Sequence, residues 1–329
     1  MQRKYFKNLI IIFTLVIAFA GFFANAQIRD TDIVLSILPE YPNPNQNVNA
    51  TLSSHSIDLD KVNVSWSVNS QEMSLGIGKK SFSFKTGEAG SSSTLTATIE
   101  TIDGQNILKT ITITPADVDI LWEAYDSYVP PFYKGKALPP SQGKFKVVAM
   151  PSLINQNGKV NMNNLSYAWK KDGTVQSSSS GWGKSYFIFT NSYLDKVNNV
   201  EVKVSDISGG TNASGKITLK TTTPKILFYR NDPVFGIKWE TILNNGFTIG
   251  QDGETIVAEP YFFSPKNISS LNLVFNWFLN TQKIQTPDPK NILSIKPEVG
   301  QSGSSIIKVD INNTGTLFQS LAKQIEVNF

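Results

Sequence analysis

Three short stretches of the chain alternate apolar and polar positions around a tryptophan. In the first, Val62, Val64, Trp66 and Val68 alternate with Asn63, Ser65 and Ser67. In the second, Leu165, Tyr167 and Trp169 alternate with Ser166 and Ala168. In the third, Leu273, Phe275, Trp277 and Leu279 alternate with Val274, Asn276 and Phe278. Successive strand side chains point to opposite faces, so a period of two predicts a strand with one face on a core. The phase sends each tryptophan inward, as a core residue rather than a sugar-binding platform. Trp66 and Trp169 are 103 residues apart, and Trp169 and Trp277 are 108 apart. Each step is the length of one small β-domain, which makes the spacing an internal repeat.

The correspondence continues downstream. Gly76-Ile77-Gly78-Lys79 in the first copy matches Gly181-Trp182-Gly183-Lys184 in the second and Pro287-Asp288-Pro289-Lys290 in the third. Residues of this type predict a turn. Each turn leads into a short apolar strand, holding Phe82 and Phe84, then Phe187 and Phe189, then Ile292 and Leu293. A later strand repeats as Leu95, Ala97 and Ile99; Val200, Val202 and Val204; Ile307, Val309 and Ile311. A last strand repeats as Ile111 and Ile113; Ile217 and Leu219; Ile325 and Val327. The copies open with Asp32-Ile33-Val34-Leu35, Asp119-Ile120-Leu121-Trp122 and Lys225-Ile226-Leu227-Phe228. Pro115 and Pro224 fall between copies, where a proline suits a stiff linker.

Short strands punctuated every 8–12 residues, with no sustained helical periodicity beyond the first segment, predict an all-β chain of sandwiches. The expected domains are 27–115, 116–222 and 223–329. The central-strand tryptophan without flanking cysteines, as in Tyr167-Ala168-Trp169-Lys170-Lys171-Asp172-Gly173, resembles the corresponding strand of Ig-like and PKD-like bacterial extracellular domains. The Trp-Asp-Phe-Gly-Asp-Gly turn of the PKD pattern is absent, and only the second copy keeps Asp-Gly. The whole chain is similar to uncharacterised exported Ig-like repeat proteins of candidate-phylum bacteria. It shares the openings Pro224-Lys225-Ile226-Leu227-Phe228-Tyr229 and Val257-Ala258-Glu259-Pro260-Tyr261-Phe262-Phe263-Ser264. The resemblance implies three tandem Ig-like β-sandwiches at a cell surface and supplies no activity.

The N-terminus changes the reading of charge. Arg3, Lys4 and Lys7 precede an uncharged apolar run from Leu9 to Ala24, and Ala24-Asn25-Ala26 follows. This is the pattern of a secretory signal peptide over 1–26, with an uncleaved anchor as the alternative. Residues 1–26 hold three basic residues and no acidic one, so 27 basic and 26 acidic residues remain, a net charge of +1. The basic excess therefore belongs to the leader, and no block remains to serve as a nucleic-acid footprint. Contact with a membrane is expected only through the leader, if it stays attached. The chain has no cysteine and one histidine, His55. That excludes disulfides, thiol nucleophiles and zinc sites built on several histidines.

The expected role is a non-enzymatic exported or surface scaffold of adhesion type. Its modules would be joined by short linkers into a semi-rigid array, without a cofactor or resident metal. Its loops and sheet faces would meet a protein or glycan at the cell surface. Carbohydrate binding through exposed aromatics is the alternative. The candidate contact residues are Trp182, in a turn between two glycines, and Trp122, Tyr128, Phe132 and Tyr133, in an aromatic Pro-rich stretch that opens the second copy. That stretch reads either as a binding platform or as an insertion packed on its own or the adjacent domain. Phe228, Tyr229, Phe235 and Trp239 form the matching stretch of the third copy. The acidic pairs Asp30/Asp32, Asp58/Asp60 and Asp117/Asp119 read as solvated loop charge, with calcium between modules as the alternative, for which two carboxylates are a weak start toward six to eight oxygens. A hydrolase would need two carboxylates facing a cleft.

Overall fold

The computed structural model describes residues 32–155, 158–207 and 211–329. The leader-like segment 1–26, the expected domain start at 27 and Asp30 lie outside the described residues. The first sandwich has strands β1 (Ile33–Leu38), β2 (Asn47–Ser54), β3 (Asn63–Val68), β4 (Gln71–Ile77), β5 (Ser81–Lys85), β6 (Ser93–Glu100) and β7 (Asn106–Ile113). Their order is β1-β2-β5 in one sheet and β4-β3-β6-β7 in the other. All these pairings are antiparallel.

The second sandwich repeats the plan. It has β8 (Asp117–Ala124), β9 (Lys144–Ser152), a minimal hairpin of β10 (Ile154–Asn155) and β11 (Gly158–Lys159), β12 (Leu165–Lys171), β13 (Thr174–Val175), β14 (Gly181–Trp182), β15 (Tyr186–Thr190), β16 (Val197–Asp206) and β17 (Asn212–Lys220). One sheet runs β15-β9-β8; the other runs β13-β12-β16-β17, with β14 also on β12. The third sandwich has β18 (Lys225–Asp232), β19 (Gly236–Ile242), β20 (Phe247–Thr248), β21 (Glu254–Tyr261), β22 (Leu273–Leu279), β23 (Gln282–Ile284), β24 (Ile292–Ile295), β25 (Ser304–Asn313) and β26 (Ser320–Asn328). Its sheets are β19-β18-β21-β24 and β20-β26-β25-β22-β23. The additions to the common plan are β19, an extra edge strand, and β20, which pairs parallel with β26.

In each sandwich the inward residues of both sheets form one core. The first core joins Ile33, Ala50 and Leu52 to Val64, Trp66, Leu95, Ala97 and Ile99. The second joins Val118, Phe145 and Val147 to Leu165, Tyr167, Trp169, Val200, Val202 and Val204. The third joins Ile226, Phe228 and Ile256 to Leu273, Phe275, Trp277, Ile307, Val309 and Ile311. These are the all-β sandwiches that the alternation predicted, three times over, in the Ig-like plan that the resemblance implied.

The three tryptophans are buried. A buried indole N–H needs an acceptor. Trp66 donates to the carbonyl of Lys79 at 2.7 Å, Trp169 to that of Lys184 at 2.8 Å and Trp277 to that of Lys290 at 2.9 Å. These are the final residues of the three turns that the sequence aligns.

By its internal contacts the chain forms two compact units. One holds the first sandwich, through Asn47–Lys85 and Ser93–Ile113. The other holds Thr114–Phe329 together with Tyr41–Gln46 and Thr86–Ser92. The second and third sandwiches thus belong to a single unit. Among the described residues no helix is long and apolar enough to cross a membrane.

Candidate functional site

The aromatic Pro-rich stretch of the second sandwich, between β8 and β9, reaches onto the third sandwich. Tyr128 donates its backbone N–H to Phe263 O at 2.7 Å, and Phe262 donates its own to Tyr128 O at 2.8 Å. Phe262 holds φ +63°, a conformation that is uncommon for a bulky side chain. These two backbone bonds hold it there together with ring contacts. Phe262 meets Tyr133 edge-on at 5.9 Å and Tyr261 at 6.1 Å, and Tyr133 also meets Tyr261 at 5.6 Å.

A polar network lies beside this ladder. The Tyr128 hydroxyl donates to Glu259 Oε2 at 2.7 Å, and Asn291 Nδ2 reaches Glu259 Oε1 at 3.4 Å. Ser264 Oγ donates to Asp126 Oδ2 at 2.8 Å, and Lys144 N donates to Asp126 Oδ1 at 2.7 Å. Asn313 Nδ2 donates to Ser264 O at 2.5 Å, and Ser264 N donates to Gln319 Oε1 at 2.8 Å. The loop between β25 and β26 completes the joint. Gln319 Nε2 donates to Ser141 O at 3.3 Å, Phe318 N donates to Gln142 Oε1 at 3.0 Å, and the Phe318 ring lies 4.5 Å from that of Tyr193.

Burial sets the protonation of this joint. Glu259 is 3% exposed. Loss of solvation pushes its carboxyl up to about 7, against the lowering effect of the Tyr128 hydroxyl. Tyr128 is raised by burial first and then by the negative charge and hydrogen bond of Glu259. Tyr261 is raised by burial and by its hydrogen bond with Tyr229, whose hydroxyl lies 2.7 Å away.

The structure separates the five sequence-predicted contact residues. Tyr128 is buried inside the joint. Trp122 is half-buried on the second core, tilted on Phe145, with Lys136 Nζ 3.4 Å from its ring centre. Tyr133 is partly exposed and packs on Tyr261 and Phe262. Phe132 is 72% exposed and touches Trp239 edge-on at 6.2 Å. Trp182 is 70% exposed on β14, where its indole N–H donates to Asn163 O at 2.5 Å. Tyr128, Phe132 and Tyr133 therefore share one locality in the connection between β8 and β9, and Trp182 stands apart on β14.

Sequence reasoning did not single out Glu259, Phe262, Phe318 or Gln319. One signal was present for Glu259. It follows Ile256, Val257 and Ala258, a run with no alternation and no exposed face, and a lone acid in such a run needs a buried partner. Among the described residues no group of three or more His, Asp or Glu side chains could hold a metal. Asp58 pairs with Lys61 and Asp60 with Lys80, each at 2.9 Å.

No family model matches the chain, and no curated protein matches it. Among solved structures it is similar to the fibronectin(III)-like modules of Clostridium thermocellum CbhA, at 14% identity over 57% of this chain and 94% of that one, with a TM-score of 0.27. It is similar to immunoglobulin domains 1–5 of Sidekick-1, at 11% identity over 90% of this chain and 59% of that one, with a TM-score of 0.23. It is also similar to SGBP-B of the Bacteroides ovatus mixed-linkage glucan utilization locus, in complex with a mixed-linkage heptasaccharide. That match is at 13% identity over 90% of this chain and 70% of that one, with a TM-score of 0.20.

Proposed function

We propose that this chain is a non-enzymatic exported or cell-surface scaffold of tandem Ig-like modules. It holds its second and third modules at a fixed spacing and offers loops and sheet faces to a protein or glycan partner. The observation that carries this reading is the joint itself. The stretch between β8 and β9, the longest such connection in the first two sandwiches, is committed to the neighbouring sandwich through Tyr128, Tyr133 and Asp126. A side-chain network of this kind resists hinge motion because every member must lose a partner before the modules can part. The leader-like pattern of residues 1–26 supports the location.

The absence of cysteine makes a direct test clean. Thr174→Cys on β13 and Lys323→Cys on β26 place one spin label on each sandwich at exposed positions. The expected double electron–electron resonance trace gives one narrow distance. A broad distribution means the modules swing freely and defeats the spacing role. Exposed Trp182 and Phe132 favour a second reading, in which the scaffold holds a glycan through stacked rings.

A further inference from the structure

The joint between the second and third sandwiches has two faces. The donor face is the loop between β25 and β26, which brings Phe318. The acceptor face is the loop between β15 and β16, which brings Tyr193. Both loops recur in every copy. The corresponding donor loop of the first sandwich lies between β6 and β7, and its tip, Ile102, is 84% exposed beside Asp103. The corresponding acceptor loop of the third sandwich lies between β24 and β25, and its tip, Val299, is 92% exposed.

At that same end the two sheets of the third sandwich part. The opening is a cleft of about 490 Å³ lined by Ile249, Ile284, Leu293, Ile307, Val327 and Phe329. Lys296 is on its rim with Glu298, and Lys283 precedes Ile284 in sequence. An apolar opening that reaches core residues, rimmed by polar groups, is an interaction surface. In the second sandwich the loop at the equivalent end meets the neighbouring sandwich through Tyr193 and Phe318.

We propose that the cleft end of the third sandwich receives the first sandwich of a second copy of this chain, with Ile102 against Val299 and the cleft mouth as Phe318 lies against Tyr193. Two observations select this occupant. The contact repeats a joint the chain already makes. The donor tip is apolar and bare on the first sandwich. The two surfaces are unlike, so the contact is heterologous. It adds copies head to tail and does not stop at a symmetric dimer. The inference rests on the joint and stands apart from whether the scaffold meets a protein or a glycan.

Sedimentation velocity of residues 27–329 from micromolar to submillimolar concentration tests it. The expected result is an average mass that keeps rising past the dimer. Ile102→Asp and Val299→Asp each weaken association at least about tenfold, the effect of truncating or charging a central apolar contact. Both positions are exposed, so each variant keeps the parent's melting curve. The decisive arm mixes the two variants. Val299→Asp retains a sound tip and Ile102→Asp a sound cleft, so the mixture forms a one-to-one dimer and goes no further. A parent that stays monomeric overturns the proposal. So do a dimer plateau insensitive to both substitutions, a mixture that does not associate, and an apolar small molecule found by mass spectrometry to fill the cleft.

Discussion

Glu259 makes the joint sensitive to pH, less stable as the pH rises. Its carboxyl sits at about 7 in the folded chain, against 4.5 for an ordinary glutamate, because burial penalises its charged form. The folded state therefore binds more protons than the unfolded state between those values, and stability falls as pH rises through them. The contribution is whole below about pH 4.5 and gone above about pH 7. A difference of about 2.5 pKa units corresponds to about 3 kcal/mol. Glu259→Gln removes the titration and keeps an oxygen that accepts from the Tyr128 hydroxyl. The assay is urea unfolding followed by tryptophan fluorescence at several values between pH 5 and pH 8. Relative to the Glu259→Gln variant, the parent should lose roughly 2–3 kcal/mol across that range, most of the full difference. Tyr128→Phe should move the midpoint to higher pH, because the hydroxyl it removes is the group that lowers the Glu259 carboxyl. Parent and Glu259→Gln curves that run parallel from pH 5 to pH 8 would refute the argument, since they would place Glu259 in water.

Two further outcomes follow from the same geometry. Trp169→Ala should cost the second sandwich about 3–5 kcal/mol, since it opens a cavity in a core with no disulfide to support it. An unchanged urea midpoint for the full chain's unit of second and third sandwiches would contradict the burial of that indole. If the chain holds a glycan through bare rings, then Trp182→Ala should abolish at least one binding signal on a glycan array, with the melting curve unchanged. A parent chain silent on the array would leave the protein-partner reading.

The cores were legible because burial writes itself into a period of two. Val64 and Trp66, Leu165, Tyr167 and Trp169, and Leu273, Phe275 and Trp277 all lie inward, as the alternation requires. The turn-ending lysines were legible by alignment, although their role as carbonyl acceptors was not, because a backbone atom leaves no trace in residue identity. The aromatic stretch was legible as either a platform or a packed insertion. Choosing between them depended on residues more than 100 positions away, such as Glu259 and Phe263. Contacts at that separation have no local pattern. Phe262 was hidden for a further reason: a positive φ at a phenylalanine is imposed by its surroundings and contradicts its own preference.

The indole-to-carbonyl bond bears on how such a chain can drift. Because each tryptophan binds main chain, the partner loop is fixed in position but free in spelling. The first two copies write it as Gly-X-Gly-Lys and the third as Pro-Asp-Pro-Lys, yet all three place an oxygen 2.7 to 2.9 Å from the indole nitrogen. Copies can therefore diverge almost letter by letter while one anchor keeps their strands in step.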